Sequence, residues 1–493
     1  MGRQDQITKE RLRKLEELRA QGINPYPYKF SFDSYSADIH EKYSKLKSGV
    51  SKKDKVKVAG RLISFRDLGK IAFGVLQDSK GKIQIVLQGP ETPPSVSKFF
   101  KKYIDSGDFL GIQGHPYKTK RGELSILIKS ADLLTKSLLP LPEKFHGLKD
   151  DEERLRKRYL EIITNPDVKE MFIRKANFWN TIRSFLISHD FLEVETPILE
   201  TAAGGAAATP FKTHHNALNI PLHLRISMGE LWQKKLMVAG FGKTFEIGRQ
   251  FRNEGMDAEH LQDYSQMEFY WAYSDYKDGM KLVKELYKTI AKSVFGTTKF
   301  ERNGLKFDLA KPWMIIDFSK EIKKQTSIDI WKASKEEIIS KLEKLKEEHD
   351  PKLDRIRLID ILWKYCRRKI PGPAFLTGQP VELTPLAKKD DINPKTVQQF
   401  QVILAGSEVG NGYSELNDPQ DQEVRFLEQR KLAQSGDTDA HPHDADFVEA
   451  LKYGMPPTCG FGFSERLFAF LEGKPIRETV IFPLMRPEKK GGK

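Results

Sequence analysis

The chain has 493 residues, 39% of them hydrophobic and 30% charged, and a formal net charge of +14. That length can bury more than one core, so two or three domains are expected. No run of about 18 apolar residues exists, which argues against a membrane-spanning helix, and Cys366 and Cys459 are too few for a disulfide framework or a zinc cluster. The cationic excess favours a polyanionic partner. The cysteine usage, with an N-terminal stretch lacking a signal peptide's apolar segment, fits a reducing cytoplasm.

Residues 5–22 read as a helix, with Arg11, Leu12, Leu15 and Leu18 at helical spacing and Gly22 as its stop. The prolines of INPYPY then carry the chain away extended, because a residue before proline avoids the α region. This lead-in covers residues 1–54. From 55 to 140, five short β-type runs are separated by glycines and charged turns, which predicts a five-stranded barrel of the OB type. Such barrels hold single-stranded nucleic acid with a positive groove and exposed rings. Arg66, Phe73 and Gln84 offer a cation, a ring and an amide; the plainer alternative is a core Phe73 and a solvated Arg66. Residues 141–165 form a proline-fixed linker running into DDEERLRKR, a helical run with acids first and bases last, as the helix dipole favours.

A second domain is expected over 166–487. It opens with a helix from Pro166 to His189, capped by Asn165, and a strand, FLEVETPIL, that ends at Pro197. The loop Gly204 to Leu218 is rich in small residues, and Gly205 allows backbone to approach a ligand. No GK[ST] follows, so it is not a phosphate-binding P-loop. His214 and His215 would point to opposite faces of a strand, a poor metal pair. Glu230 sits in an amphipathic helical run.

The stretch Thr244 to Tyr273 reads as two strands joined by a charged loop. A period of two sets Arg252 and Glu254 on one face of the first strand, and Tyr264, Glu268 and Tyr270 on one face of the second. A cation, two acids and two rings in one concavity suit a nucleotide held beside an amino group. Residues 335–367 are Lys/Glu-rich and helical, ended by Pro371 and Pro373. Asn411, Tyr413 and Glu415 alternate along one strand face. The segment SGDTDAHPHDAD carries Asp437, His441, His443 and Asp444, which reads as a solvated loop before a metal site. Met455 to Leu471 gives a Gly-rich strand followed by a helix, and the tail 488–493 reads as disordered.

In order, RLRKLEELRAQGINPYP, FLEVETPIL, the FRNE stretch with its following strand, and GFGFSER resemble the opening segment and motifs 1, 2 and 3 of the lysyl-tRNA synthetases, in the class II aminoacyl-tRNA synthetase family. The resemblance runs from Arg11 to Pro487. It implies an α+β chain, with the OB-type barrel followed by a central antiparallel sheet flanked by helices. It implies an ATP-dependent lysine-tRNA ligase that uses Mg2+, binds tRNA(Lys) and forms a homodimer through motif 1. For ATP it implies Arg252 on the α-phosphate, Glu254 at the adenine end, Tyr264 stacked on adenine, His260 and Arg466 along the phosphates, and Glu408 as a magnesium ligand. For lysine it implies Gly205 and Glu230 at the α-amino group, Asn411 at the carboxylate, Glu415 at the ε-ammonium with Glu268 and Tyr270 beside it, and Tyr413 as a further lysine-binding residue. Arg66, Phe73 and Gln84 would hold the anticodon.

Three departures from the family pattern stand out. Thr209 replaces a usual Arg, Gln401 replaces a second acid, and motif 3 is shortened with Glu465 for Asp. An aspartate- or asparagine-specific relative would share the barrel and motifs, but its substrate carboxylate would be repelled by the pocket's acids. Relatives that transfer lysine to a protein side chain resemble the catalytic domain alone. A catalytically inactive RNA-binding protein would have no need of Arg252, Glu254, Arg466 and Glu408 together.

Overall fold

The computed structural model describes residues 2–142, 150–201, 208–255, 257, 259–434 and 443–487. It divides into two compact units, Met1–Thr164 and Asn165–Lys493.

In the first unit, helices α1 (Arg3–Ala20) and α2 (Ser36–Lys42) precede the strands β1 (Val56–Asp67), β2 (Ile71–Gln77) and β3 (Lys82–Gln88). Helix α3 (Pro94–Tyr103), β4 (Phe109–Lys118) and β5 (Leu124–Thr135) follow. The five strands close into a barrel in the order β1-β2-β3-β5-β4. Alternation explains the closure: Ala72 and Leu76 on β2, and Ile83, Ile85 and Leu87 on β3, all point inward and are buried. On α1 it is Arg11, rather than Leu12, that faces inward. Leu12 is 40% exposed, while the Arg11 guanidinium donates to the carbonyls of Ser106, Ser137 and Leu139. Beyond β5, the buried Lys136 ammonium donates to Tyr103 O at 2.7 Å and to Asp108 Oδ2 at 2.8 Å. The charged run after the linker is not one helix. It breaks at Lys157 into α4 (Asp151–Arg156) and α5 (Arg158–Thr164), where the buried Arg158 pairs with Glu161 at 2.6 Å.

The second unit contains α6 (Pro166–Ser188), β6 (Leu192–Glu193), and a three-stranded sheet of β7 (Leu199–Glu200), β8 (Lys212–His215) and β9 (Ile220–Leu224). Next come α7 (Glu230–Val238), β10 (Lys243–Phe251), β11 (Asp263–Ala272), α8 (Tyr276–Phe295), and the hairpin β12 (Lys299–Arg302) and β13 (Leu305–Asp308). After β14 (Met314–Asp317), a helical layer of α9 (Phe318–Thr326), α10 (Lys335–Leu345) and α11 (Arg355–Arg367) packs on its own apolar cluster with Trp363 and Cys366. The chain closes with β15 (Ala374–Thr377), β16 (Gln399–Leu404), β17 (Ser407–Ser414), α12 (Pro419–Gln434), α13 (Ala445–Lys452), β18 (Thr458–Ser464) and α14 (Arg466–Glu472).

Eight of these strands form one sheet in the order β14-β15-β16-β17-β18-β11-β10-β6. It is antiparallel except at its two margins, where β14 pairs parallel with β15 and β6 with β10. One face carries Phe245, Met267, Phe269, Phe400, Phe461 and Phe463 against α6 and α8, forming the main core. The opposite face is thereby left to polar side chains. The motif 1 strand is shorter than expected, two residues in place of a run to Pro197. Thr196 sends its amide and hydroxyl to the Glu246 side chain of β10 instead of to that strand's backbone. Among the described residues no helix is long and apolar enough to cross a membrane.

Lys136→Met should destabilise the barrel by about 3–5 kcal/mol, because it strands the buried Asp108 carboxylate without its cation. A denaturant titration following the barrel's unfolding checks this, and a shift under about 1 kcal/mol would show that Asp108 is satisfied by its backbone donors.

Candidate active site

A cavity of about 500 Å³ opens on the polar face of the eight-stranded sheet. Its floor follows from strand alternation: Tyr264, Gln266, Glu268 and Tyr270 come from β11, Asn411 and Tyr413 from β17, and Glu415 directly after it. On β18 the front-facing positions are Gly460 and Gly462. Their missing side chains make room for the acids. A Cβ at Gly460 would collide with Glu415 Oε1, and one at Gly462 would come 2.7 Å from Glu268 Cγ.

Glu230, Glu268 and Glu415 converge at one end, each less than 8% exposed. Glu230 opens α7 and accepts from the Tyr413 hydroxyl. Glu268 accepts from Gln266 Nε2 at 2.5 Å, Tyr270 OH at 3.1 Å and the Met228 amide at 3.2 Å. Burial, reinforced by the nearby Glu230 charge, pushes the Glu268 carboxyl up to about 7 and the Glu415 carboxyl up to about 8. Burial also holds the Tyr270 and Tyr413 phenols well above their ordinary range.

At mid-cavity Arg252 donates to Ile226 O at 3.3 Å and lies 5.9 Å from the Tyr264 ring. It does not sit on the strand as expected. The β10 ladder stops at Phe251, and the Arg252 amide bonds Gln262 O across the loop mouth. Glu254 therefore shares no strand face with it. Glu254 is exposed, lies outside the cavity lining, and accepts the Thr209 amide at 3.1 Å.

The other end brings basic and acidic side chains together. Arg466 begins α14 and pairs with Glu259 at 2.8 Å, and His260 accompanies Asp257 at 2.8 Å. Glu408 joins Gln401 in the lining through a break in register between β16 and β17, where Gln401 faces Asn411 but Ile403 faces Glu408. Glu408 sits 3.2 Å from Arg367, and Gln401 Oε1 is buried without a partner. The shortened motif 3 still turns from strand to helix. The wholly buried Glu465 pairs with Lys175 and accepts the Ser265 amide.

Gly205, Asp437 and His441 lie outside the described residues. His443 pairs with Glu423 at 3.1 Å, Asp444 caps α13 through the Phe447 amide, and His214 and His215 are exposed. Among the described residues no group of three or more His, Cys, Asp and Glu side chains could hold a metal ion. In the barrel, Arg66 and Phe73 are cross-strand partners, and Phe73 pairs with Val86 on β3, two residues from Gln84. Phe73 is half-buried and outside the barrel core, while Gln84 Nε2 donates to Ser125 at 2.8 Å. Sequence reasoning passed over Lys234, which stands one helical turn after Glu230, and Glu259 and Arg367, which offered no periodic signal.

The class II tRNA synthetase profile (D, K and N) matches residues 150–486, and an OB-fold nucleic acid binding domain matches 56–134. The lysine-tRNA ligase of Thermotoga maritima is 42% identical over 490 residues, covering 98% of this chain and 97% of its own. The chain belongs to the class II lysine-tRNA ligase family. The Carboxydothermus hydrogenoformans lysine-tRNA ligase is also 42% identical, covering 98% of both chains. That of Porphyromonas gingivalis is 40% identical over 96% of this chain and 84% of its own. As a family member the chain combines an OB domain with a class II domain, and the cavity lies within the latter.

The raised acids carry a sign. Glu268 and Glu415 hold protons in the fold that the unfolded chain releases near 4.5. Their stabilising contribution is complete below that value and is lost as pH rises through about 7 and about 8. Glu268→Gln should flatten the decline in the substrate-free protein's melting temperature between about pH 5 and about pH 8. An unchanged slope would mean that Glu268 is ionised throughout.

Proposed function

We propose that this cavity joins L-lysine to ATP, giving lysyl-adenylate and pyrophosphate, and then passes lysine to the 3′-terminal adenosine of tRNA(Lys). One observation carries the reading: three buried carboxylates crowd one end of a cavity whose other end presents Arg466 and His260, with Arg252 between. A substrate with two ammonium groups suits the first end and a triphosphate the second.

In this reading Glu230 and Gly205 receive the α-ammonium, and Glu415, with Tyr270, Tyr413 and Glu268, receives the ε-ammonium. Arg252 and Asn411 hold the carboxylate. Arg252 also meets the α-phosphate, so the attacking oxygen and the phosphorus are fixed by one guanidinium. The new O–P bond forms as pyrophosphate leaves, and Arg466 and His260 meet the charge that moves onto it. Tyr264 stacks on adenine. Glu254, which accepts the Thr209 amide, would serve the adenine end. The tRNA ribose hydroxyl then attacks the adenylate carbonyl and AMP leaves. No protein nucleophile takes part.

Glu408 and the unpartnered Gln401 oxygen would hold Mg2+. One carboxylate and one amide oxygen suit a hard cation that keeps waters and phosphate oxygens as its other ligands. When bound it would neutralise charge on the phosphates. The barrel residues Arg66, Phe73 and Gln84 would hold the anticodon, with the ring stacking on a base. A homodimer through motif 1 is supported by Ile187, Leu192, Ile198 and Leu199, each at least 44% exposed. Two free, buried cysteines accord with a cytoplasmic location.

ATP–pyrophosphate exchange, run with each amino acid separately, tests the reading. Exchange with lysine alone supports it; exchange with aspartate or asparagine would overturn the pocket while leaving the fold. Arg252→Ala should abolish lysine-dependent exchange while tRNA binding persists, and unaltered exchange would remove Arg252 from the reaction. Phe73→Ala should weaken tRNA charging by about 1–3 kcal/mol, the worth of one stacked base, with exchange unaffected. An equal fall in exchange would assign Phe73 to folding.

A further inference from the structure

Lys234 is almost wholly buried, yet its ammonium belongs to the acid end of the cavity. Helix α7 sets it four residues after Glu230, on the same side. Its Nζ lies 2.8 Å from Glu230 Oε1 and 2.6 Å from Glu415 Oε2. The rings of Tyr413 and Phe447 flank it at 5.5 and 5.7 Å. Glu230, Glu268 and Glu415 line the cavity and Lys234 does not, so the ammonium reaches the two acids from behind the wall.

The titratable groups around this pair are Glu230 and Lys234 on α7, Glu268 and Tyr270 on β11, Tyr413 and Glu415 from β17, and Cys459 on β18. The phenols and the thiol are held neutral by burial. Fully ionised, three carboxylates against one ammonium would leave two negative charges uncompensated, and the protons that Glu268 and Glu415 hold near neutral pH relieve that excess. A free lysine brings two ammonium groups, while Arg252 stands ready for its carboxylate. Without Lys234 the deficit would be three. Burial relieves such an excess by protonating an acid, and a protonated Glu415 no longer attracts an ammonium.

We propose that Lys234 is a positioning residue that sets affinity for lysine: it holds Glu230 and Glu415 from behind the cavity wall and keeps both carboxylates available to the substrate's ammonium groups. This rests on the lysine-activating reading given above. The pairing with Glu230 and Glu415 raises the Lys234 ammonium above its ordinary range, against the pull of burial.

Calorimetric titration of L-lysine into the full chain, at about pH 7 and about pH 8.5, tests this with the wild type, Lys234→Met and Lys234→Gln. The glutamine keeps donors toward both carboxylates and serves where the methionine variant does not fold. At the lower pH the variants should bind lysine about tenfold or more weakly, since each further unit by which an acid climbs once Lys234 is removed costs tenfold. At the higher pH the ratio of variant to wild-type affinity should move back toward one, and ATP affinity should match wild type throughout. A loss of equal size at both pH values, or no loss, overturns the proposal and leaves the lysine pocket standing. A wild-type protein that does not bind lysine overturns the pocket itself, and this proposal with it.

Discussion

A carboxylate taken out of water costs several kcal/mol unless partners are already in place, and this chain takes three into one cavity. Much of the catalytic unit is arranged around that constraint. The eight-stranded sheet gives its aromatic face to α6 and α8, so the polar residues of β11 and β17 are forced onto the other face and into proximity. Helix α7 then brings an acid and its own counter-cation together. Glu268 is met by an amide side chain, a phenol and a backbone N–H. What stays unmatched is charge that a ligand can complete.

The opposite end of the cavity is arranged differently. Behind it Arg367 meets Glu408 where both are largely buried, while Arg466 in the lining pairs with the half-exposed Glu259. Water screens the second contact, so it exchanges for a better anion at small cost. The end with the three acids is buried, whereas the end with Arg466, Glu259 and His260 is more open to water. Glu465 shows how a sequence departure can be absorbed. The acid at the motif 3 turn is longer than the family's usual one, yet Lys175 on α6 meets it and the turn survives.

The parts legible in the sequence are those governed by simple periods. Five alternating runs announced the barrel, and counting by twos along β11 and β17 placed Tyr264, Glu268, Tyr270, Asn411, Tyr413 and Glu415 on the cavity side. The same counting failed at Arg252 and Glu254 because the ladder ends one residue earlier, where a loop hydrogen bond takes over. It also could not place Glu408, whose facing depends on a register break. Lys234 was within reach as an i,i+4 partner of Glu230, but such pairs are common on solvated helix faces, and its burial is a tertiary fact. Arg11 was masked in the same way among the charges of α1.

Gly460 and Gly462 bear on how this pocket could change over evolutionary time. Both lie on a central strand, hydrogen-bonded on each side, where even one added methyl would press on an acid. Gradual drift in substrate preference is therefore closed along β18. Along α7 and after β17 the limit is charge and not space, because the buried Lys234 relies on Glu230 and Glu415. The strand that contributes no side chain to recognition is the part of the pocket least free to vary.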